Sequence, residues 1–337
     1  MLSYIVRRVL ISIPILIVSS VLVFTFMRLT TDPTRALINP RMSQEDVARV
    51  KAALGLDKSG PEQYVAWLSH FARGDWGISL QYERPVKPIL IERFVNTLKL
   101  MAMAVILSLF FAIAVGVYSA VRPYSKLDYT FTGASFFGIS MPIFWFGLIL
   151  QLVMGFYLER WLGSLRHTFH FLPAFLESEP LFFTGGLRRP GTIGFSLGDF
   201  LRHATLPSLA LMVQLVAGWG RYERASMLEV MGSDYMRTAR AKGVSETKVV
   251  LKHGLRNALI PLVTVVAIDV GGLFGGLIIT ESIFSWPGMG GIFVDSLLSG
   301  DHPIVLSWLM VTAGLIVAFN LLADILYASL DPRIRYD

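Results

Sequence analysis

Long stretches without a charged side chain constrain the fold of this sequence more than any other feature. Five such stretches are 17 to 29 residues long, and a sixth of similar length contains a single charged residue, Asp269. In chain order the six stretches are residues 9–27, 100–121, 130–158, 204–220, 258–280 and 303–323. About 20 helical residues cross a hydrocarbon core about 30 Å thick, and backbone polar groups in lipid must be satisfied within the structure. The pattern therefore predicts six membrane-spanning helices.

The predicted fold is all-α and integral to the membrane, with residues 1–337 in one transmembrane domain. We expect the spans at about 9–28, 98–121, 129–158, 204–225, 258–280 and 303–327, separated by outer loops 30–96 and 159–203 and by a cytoplasmic loop 226–257. The first stretch is longer than the apolar core of a cleaved signal peptide, so it is expected to stay as a helix. The first outer loop is expected to be partly helical, because apolar residues recur there at helical spacing, for example from Tyr64 to Phe71.

Composition supports a membrane protein and argues against other classes. Apolar residues make up 54% of the 337 residues and charged residues only 16%, a more apolar balance than in an ordinary soluble domain. The formal net charge of +6 is explained by basic cytoplasmic loops and requires no nucleic-acid partner. The sequence has no cysteine, which excludes disulfides and thiolate metal sites. His167 and His170 lack a third ligand, so no metal site is expected.

The distribution of Lys and Arg indicates the orientation of the spans, because these residues accumulate in short cytoplasmic loops. With six spans, four basic segments fall on the same side of the membrane. They are the N-terminus with Arg7 and Arg8, the loop with Arg122 and Lys126, the region 221–257, and the C-terminus with Arg333 and Arg335. Both termini are therefore expected in the cytoplasm.

The charged segment Ser233–Asn257, here called the connector, joins the fourth and fifth predicted spans. Ser233 is a typical N-cap for a helix that begins at Asp234, and Gly243 is a typical residue at a helix end. Ser245 is then expected to begin a second helix that leads into the fifth span. The candidate docking residues of the first helix are Tyr235, Arg237, Thr238, Ala239, Arg240, Ala241, Lys242 and Gly243.

The residues of the connector alone are compatible with two partners. Tyr235, Thr238, Ala239 and Lys242 share one helical face, and the small residues of this helix allow close approach to a groove in a cytoplasmic protein. Its basic side chains would complement an acidic partner. The same basic helix would equally suit a position on anionic lipid headgroups.

Asp269 is the only ionisable residue deep in a predicted span. Intramembrane carboxylates face either a polar cavity or a partner inside the bundle. Asp269 is therefore a candidate pathway residue, with structural pairing as the alternative. Gly272 and Gly276 allow either close helix packing or a wider path beside Asp269.

The outer end of the fifth span carries the segment from Glu281 to Gly290. Trp286 suits a membrane interface, and Pro287 with Gly288 forces a turn. Glu281, Trp286 and Pro287 are therefore candidates for an outer gate or for contact with a delivering protein. A simple interfacial anchor is the alternative.

Motifs that would make the chain an enzyme are absent from its sequence. A Walker A loop requires Gly-Lys, and the sequence contains no such dipeptide. It also lacks H-E-x-x-H and G-x-S-x-G. The chain is not expected to be an enzyme, and the energy for any transport must come from another source.

The connector resembles the cytoplasmic EAA loop in membrane subunits of binding-protein-dependent ABC importers. Arg237, Thr238, Ala239 and Gly243 stand at the matching positions, so the glutamate and the first alanine of that motif are absent. Pro261 follows the glycine by 18 positions, later than in the general pattern. RTARAKG with a late proline is similar to the peptide and nickel branch of this family.

Motifs along nearly the whole chain extend this resemblance to the first permease subunit of dipeptide or oligopeptide importers. They are the pair Arg7–Arg8, TDP at 31–33, GLD at 55–57, GDWGIS at 74–79, SMPIFW at 140–145, LRNALIP at 255–261, ESIFSWPGMG at 281–290 and LDPRIR at 330–335. The resemblance implies the type I ABC importer permease fold. It also implies that the chain forms half of a heteromeric pore in the cytoplasmic membrane of a bacterium or archaeon.

The resemblance further implies which partners the chain has. These are a second similar permease, two cytoplasmic ATPase subunits that bind ATP and Mg, an extracytoplasmic solute-binding protein, and the surrounding membrane lipid. The chain itself would bind no cofactor. Small peptides are the substrate that the resemblance implies most strongly, with nickel chelates and other small solutes left open.

In this family the helix of the EAA loop docks on an ATPase subunit. Replacing Ala239 with Glu is then expected to uncouple transport without preventing insertion into the membrane. The alternative function is a secondary transporter driven by an ion gradient, with Asp269 as the coupling site.

Overall fold

The computed structural model describes residues 2–30, 42–53, 55–168, 180–189, 191–192 and 194–330. These ranges contain helices and no strand, apart from one isolated bridge between Ile78 and Pro85. The α-helices are α1 (Leu2–Thr30), α2 (Gln44–Ala53), α3 (Gly60–Ala72), α4 (Val86–Val121), α5 (Lys126–Ser140), α6 (Ile143–Leu150), α7 (Leu158–Thr168), α8 (Leu197–Met231), α9 (Asp234–Ala241), α10 (Glu246–Lys248), α11 (Leu255–Ile283), α12 (Met289–Ser299) and α13 (His302–Leu330). Two π-helical segments, Gln151–Tyr157 and Val249–Gly254, join α6 to α7 and α10 to α11.

Six helical segments in the described ranges are long and apolar enough to cross a membrane, which confirms the predicted number of spans. They are Val6–Thr30, Val86–Val121, Ile143–Ser164, Leu197–Met231, Glu246–Phe274 and His302–Leu326. α4 and α8 extend well beyond the expected spans, because their helices continue through charged residues into the neighbouring loops.

The third expected span, 129–158, is not one continuous helix. α5 ends at Ser140, and Met141 is extended, with φ −82° and ψ 122°. A proline disfavours the helical conformation for the residue before it, because its ring clashes with that residue. Pro142 imposes this restriction on Met141. The side-chain amide of Gln214 in α8 donates a hydrogen bond of 3.0 Å to the Met141 carbonyl. A polar side chain therefore satisfies a backbone group at the break, as lipid requires.

The chain divides into two compact units, one of residues 1–97 and 287–321 and the other of residues 98–286 and 322–337. The first outer loop contains α2 and α3, so it is partly helical as predicted. In the first unit, α3 lies against α1. The Tyr64 hydroxyl is hydrogen-bonded to Ser20 Oγ at 2.7 Å. The ring of Phe24 lies 5.6 Å from that of Tyr64 and 5.7 Å from that of Trp67.

The GDWGIS motif also belongs to the first unit. Asp301, just before α13, is buried and accepts hydrogen bonds from the Ser79 hydroxyl and the Gln81 backbone N–H. Gly77 has a φ of +80° and lies against Pro303, so this motif fastens the outer loop to the start of α13. The TDP motif at 31–33, residues 331–335 of LDPRIR, and His170 lie outside the described residues.

In the second unit, α8 packs against α4 and α11. The buried side chains of Ala112, Trp219, Leu262 and Val266 form one cluster of this core. At Gly116 the two longest helices come close together: a Cβ there would lie 2.7 Å from Glu223 Cβ and 2.9 Å from the Gly220 carbonyl oxygen.

Replacing Gly116 with Ala should destabilise the protein by about 1–3 kcal/mol, the usual cost of overpacking, because a backbone atom cannot move aside cheaply. Gly133 is the matched control, since a Cβ placed there would have nothing within 4 Å of it. The two variants should be compared by thermal unfolding in detergent. Equal midpoints for both would contradict the close helix contact at Gly116.

Candidate docking and pathway sites

The connector has the predicted order of elements: a helix, a glycine turn and a second helix. α9 begins at Asp234 and ends at Ala241, and Gly243 has a φ of +73°, the left-handed conformation that glycine tolerates best. Ser233 is extended, but its hydroxyl donates to the Val230 carbonyl rather than capping α9. α10 follows Ser245, and the π-helical segment Val249–Gly254 leads into α11.

α9 has one face against its own chain and another exposed. Met236 and Ala239 are buried and cluster with Val249. The exposed candidates on α9 and the following turn are Tyr235, Arg237, Thr238, Ala241, Lys242 and Gly243. Ala239 therefore does not share the exposed surface with Tyr235 and Thr238, although the helical spacing suggested it. The expectation that Ala239→Glu would affect only coupling is wrong, because that carboxylate would enter the protein's own core.

Arg240 joins the two ends of the turn at Gly243. Its guanidinium donates to the Glu246 carboxylate, with Nε–Oε2 at 3.1 Å and Nη2–Oε1 at 3.0 Å. This hydrogen bond raises the pKa of Arg240. Bidentate pairing fixes relative orientation as well as distance. Arg240 therefore acts within the connector and is only partly available to a partner.

Gly254, at the end of the π-helical segment, allows α8, α9 and this segment to meet. A Cβ at Gly254 would lie 2.8 Å from Met227 Cε and 3.2 Å from Met236 Cε. Methionine side chains are flexible and fill irregular gaps. The contact therefore combines close approach with adaptable packing at the junction of the connector and α8.

Asp269 has a hydrogen-bond partner within the chain and is also exposed at the surface of the chain. Its Oδ2 accepts a hydrogen bond of 2.8 Å from Nε1 of Trp219, which is 1% exposed. Asp269 is nevertheless exposed on the surface of the chain. Gly272, one turn further along α11, is also exposed, with nothing within 4 Å of its Cβ position. Gly276 lies in α11 as well, but its surroundings lie outside the described part of the chain.

Glu281 and Trp286 are buried within the chain. The Trp286 ring packs edge-on against Phe200, with centroids 6.2 Å apart, and Glu281 is 0% exposed. Pro287, in the first unit, accepts a hydrogen bond of 3.0 Å at its carbonyl from Asn96 Nδ2. In the single chain, Glu281 and Trp286 do not form a surface for a delivering protein.

Gln151, in the π-helical segment after α6, and Gly186, in the second outer loop, hold the backbone before Trp286 in place. Gln151 Nε2 donates to the Ile283 carbonyl at 2.9 Å and to the Thr184 carbonyl at 2.7 Å. The Gly186 backbone N–H donates to the Phe284 carbonyl at 2.9 Å. Residues 184–186 of the second outer loop therefore have a defined structural role.

Two buried carboxylates in the second unit had no clear signal in the sequence. Asp128 is paired with Arg224, with Oδ1–Nε at 2.7 Å and Oδ2–Nη2 at 2.9 Å. Glu223 in α8 is 0% exposed, and neither of its carboxylate oxygens has a hydrogen-bond partner among the described residues. Glu223 lies in the span Leu197–Met231 and contacts α4 at Gly116, so it is an ionisable residue within a span in addition to Asp269. The contact of Asp128 with the Tyr124 backbone joins residues four apart, so it is local in the sequence. The partner Arg224 is 96 residues away, and no local pattern indicates it.

Metal binding receives no support from side-chain geometry. The described residues contain no group of three or more His, Cys, Asp or Glu that could hold a metal ion.

Comparison with known proteins identifies the family. A family model described as "Binding-protein-dependent transport system inner membrane component" matches residues 112–336, and the model of the corresponding N-terminal region matches residues 1–102. The chain is similar to the oligopeptide transport system permease protein AppB of Bacillus subtilis (strain 168), with 41% identity over 338 residues and 100% coverage of both chains.

Two Escherichia coli K12 proteins are similar over the same extent. The dipeptide transport system permease protein DppB is 39% identical over 342 residues, with 100% of this chain and 99% of the relative covered. The glutathione transport system permease protein GsiC is 37% identical over 337 residues, with 100% of both covered.

These matches support an importer permease and not the alternative of an ion-driven secondary transporter. They agree with the six apolar helices in indicating a multi-pass inner membrane protein. A family of this description works with a solute-binding protein and an ATPase. The chain belongs to the binding-protein-dependent transport system inner membrane component family, the permease subunits of ABC importers.

Proposed function

We propose that this chain forms half of the translocation pore of an ATP-driven importer for di- or oligopeptides. The observation that carries the proposal is full-length similarity to permeases whose names specify an oligopeptide, a dipeptide and glutathione, itself a small peptide. A second, similar permease would form the other half. An extracytoplasmic solute-binding protein would deliver the peptide.

Two cytoplasmic ATPase subunits, which bind ATP and Mg, would drive the transport. The proposed docking surface is the exposed side of α9 and its turn, with Tyr235, Thr238, Ala241 and Lys242. Under this proposal both termini and the connector lie in the cytoplasm, in agreement with the positions of Lys and Arg.

The contacts of the connector suggest how motion would reach the spans. Closure of the ATPase subunits would move α9, and the Arg240–Glu246 pair would carry this motion across the turn at Gly243. Packing of Gly254 against Met227 would then pass it to α8 and α11. Small displacements of packed elements are amplified because such interfaces have discrete arrangements.

The proposal is tested by purifying the tagged chain from its native membrane and identifying the proteins that accompany it. We expect a second six-helix permease and two ATPase subunits with Walker A motifs. The reconstituted complex should take up dipeptides only with ATP and the binding protein present. A chain that purifies alone and takes up solute when an ion gradient, rather than ATP, is supplied would refute the proposal.

Asp269→Asn should reduce uptake of peptides with a free amino terminus by about tenfold or more if Asp269 lines the pathway. The physical reason is the loss of a charge-assisted hydrogen bond, which is worth about 1.5–3 kcal/mol. The Asn side-chain oxygen can still accept the hydrogen bond from Trp219, so the fold should be retained. Uptake is measured in proteoliposomes for free and N-acetylated forms of one dipeptide.

Asp295→Asn is the matched control, because Asp295 is also exposed but lies in α12. It should leave uptake of both peptide forms unchanged. Wild-type uptake by Asp269→Asn for both forms would assign Asp269 a structural role as the partner of Trp219.

A further inference from the structure

The short loop between α4 and α5 contains a tyrosine in an unfavourable backbone conformation. Tyr124 has a φ of +63° and is 76% exposed. A bulky residue in the left-handed region is an outlier, and such outliers persist where the surroundings enforce them. Packing cannot explain the choice of tyrosine here, because the side chain is largely outside the protein.

Buried contacts enforce this conformation. The Tyr124 backbone N–H donates to Asp128 Oδ2 at 2.9 Å, and the same carboxylate is paired with Arg224. Asp128 N in turn donates to Ser125 Oγ, which caps α5. The loop is therefore a fixed structure that presents Tyr124 outward.

The loop lies at the boundary of the membrane. The charge-free stretch of α4 ends at Val121, and the next charge-free stretch begins at Thr130. Only residues 122–125 separate the two helices. Four residues extend too little to carry Tyr124 beyond the headgroup layer, because an extended chain spans at most about 3.6 Å per residue and this one must return.

The exposed side chains around Tyr124 suit an anionic phospholipid. Tyr129 is 64% exposed, with its ring 6.5 Å from that of Tyr124, and Leu127 is 57% exposed. Arg122 and Lys126 lie on either side of Tyr124 in the chain. Tyrosine is enriched at headgroup depth, where its hydroxyl can donate to a phosphate, and Lys and Arg attract anionic lipids. Asp128 does not oppose this attraction, because Arg224 neutralises it.

We propose that Tyr124 and Tyr129, together with Arg122 and Lys126, form a binding site for the headgroup of an anionic phospholipid. The site goes beyond the importer function and requires only that α4 and α5 enter the membrane. The proposed orientation of the chain decides only which leaflet supplies the lipid.

The test is native mass spectrometry of the intact importer complex, with added phosphatidylglycerol or phosphatidylcholine. The wild type should retain more phosphatidylglycerol. The amount of phosphatidylglycerol retained should fall about threefold or more in Tyr124→Gly and in Arg122→Gln. Because glycine suits the left-handed conformation, Tyr124→Gly should keep or raise the thermal midpoint of the complex. Inorganic phosphate at the same concentration should not displace the lipid.

Tyr157→Ala is the matched control, since Tyr157 is a similarly exposed tyrosine, at 56%, in a different part of the chain. It should retain the wild-type amount of phosphatidylglycerol. Three results would overturn the proposal: unchanged retention by Tyr124→Gly, equal loss by Tyr157→Ala, or displacement by phosphate. Loss of the ATPase subunits from Tyr124→Gly would also overturn it, because the loop would then be a protein contact.

Discussion

Thr238→Glu should reduce ATP-driven uptake by about tenfold or more while the chain remains folded. Thr238 is exposed, and its hydroxyl bonds only within α9, to the Asp234 carbonyl at 3.0 Å, so no packing is lost. On the proposed docking surface, between Arg237 and Lys242, a new carboxylate would face a groove that complements basic residues. Like-charge repulsion and burial of an unpaired charge cost several kcal/mol, and each 1.4 kcal/mol is tenfold in affinity.

The measurement is recovery of the ATPase subunits with the tagged chain, together with uptake in proteoliposomes. Thr247→Glu is the matched control, because Thr247 is also exposed but lies in α10, beyond the turn at Gly243. Normal recovery and uptake by Thr238→Glu would show that this side of α9 is not the docking surface. Ala239→Glu is expected to lower the amount of folded protein, because Ala239 is only 8% exposed.

Asp128→Ala should lower the free energy of unfolding by about 3–5 kcal/mol, the usual cost of removing one partner of a buried ion pair. The Asp128 side chain is 4% exposed and that of Arg224 is 26% exposed. The substitution leaves Arg224 without this carboxylate and removes the acceptor of the Tyr124 N–H. Asp234→Ala is the control, because Asp234 is 97% exposed and surface pairs contribute about 1 kcal/mol or less.

The effect of Asp128 should depend on pH in a defined direction. Its hydrogen bonds to Arg224 hold the pKa of the Asp128 carboxyl below its usual value. A carboxyl whose pKa is lowered by folding contributes its full stability above the unfolded pKa of about 3.9 and loses it as the pH falls through the folded value. The difference in the free energy of unfolding between wild type and Asp128→Ala should stay constant from neutral to mildly acidic pH. It should become smaller below about pH 4. A difference in the free energy of unfolding that stays constant throughout the acid range would contradict the ion pair.

The sequence was sufficient to predict the features that depend on local chemistry. Charge-free stretches predicted the number of spans because lipid excludes charge regardless of how the helices pack. Gly243 marked the end of α9 because few other residues adopt its conformation readily. The break at Met141 could also have been predicted from Pro142, but the length of the apolar stretch alone hides it.

Features that depend on contacts distant in the sequence could not be predicted. Helical spacing placed Ala239 on a face with Tyr235, but only packing against Val249 decides that Ala239 turns inward. Trp286 has the character of an interfacial residue, yet Phe200 covers it. The partner of Asp128 and the burial of Glu223 follow from the packing of helices that no local pattern specifies.

The π-helical segment Val249–Gly254 has a consequence for the register between the connector and α11. A π-helical turn is equivalent to one residue inserted into an α-helix. Deleting one residue between 249 and 254 would restore α-helical geometry and rotate everything before it by about 100° relative to α11. The surface of α9 that carries Thr238 would then point in another direction, with every one of its side chains intact. The inserted residue therefore sets the direction in which this surface of α9 faces around the axis of α11. No single side chain of the connector controls that direction.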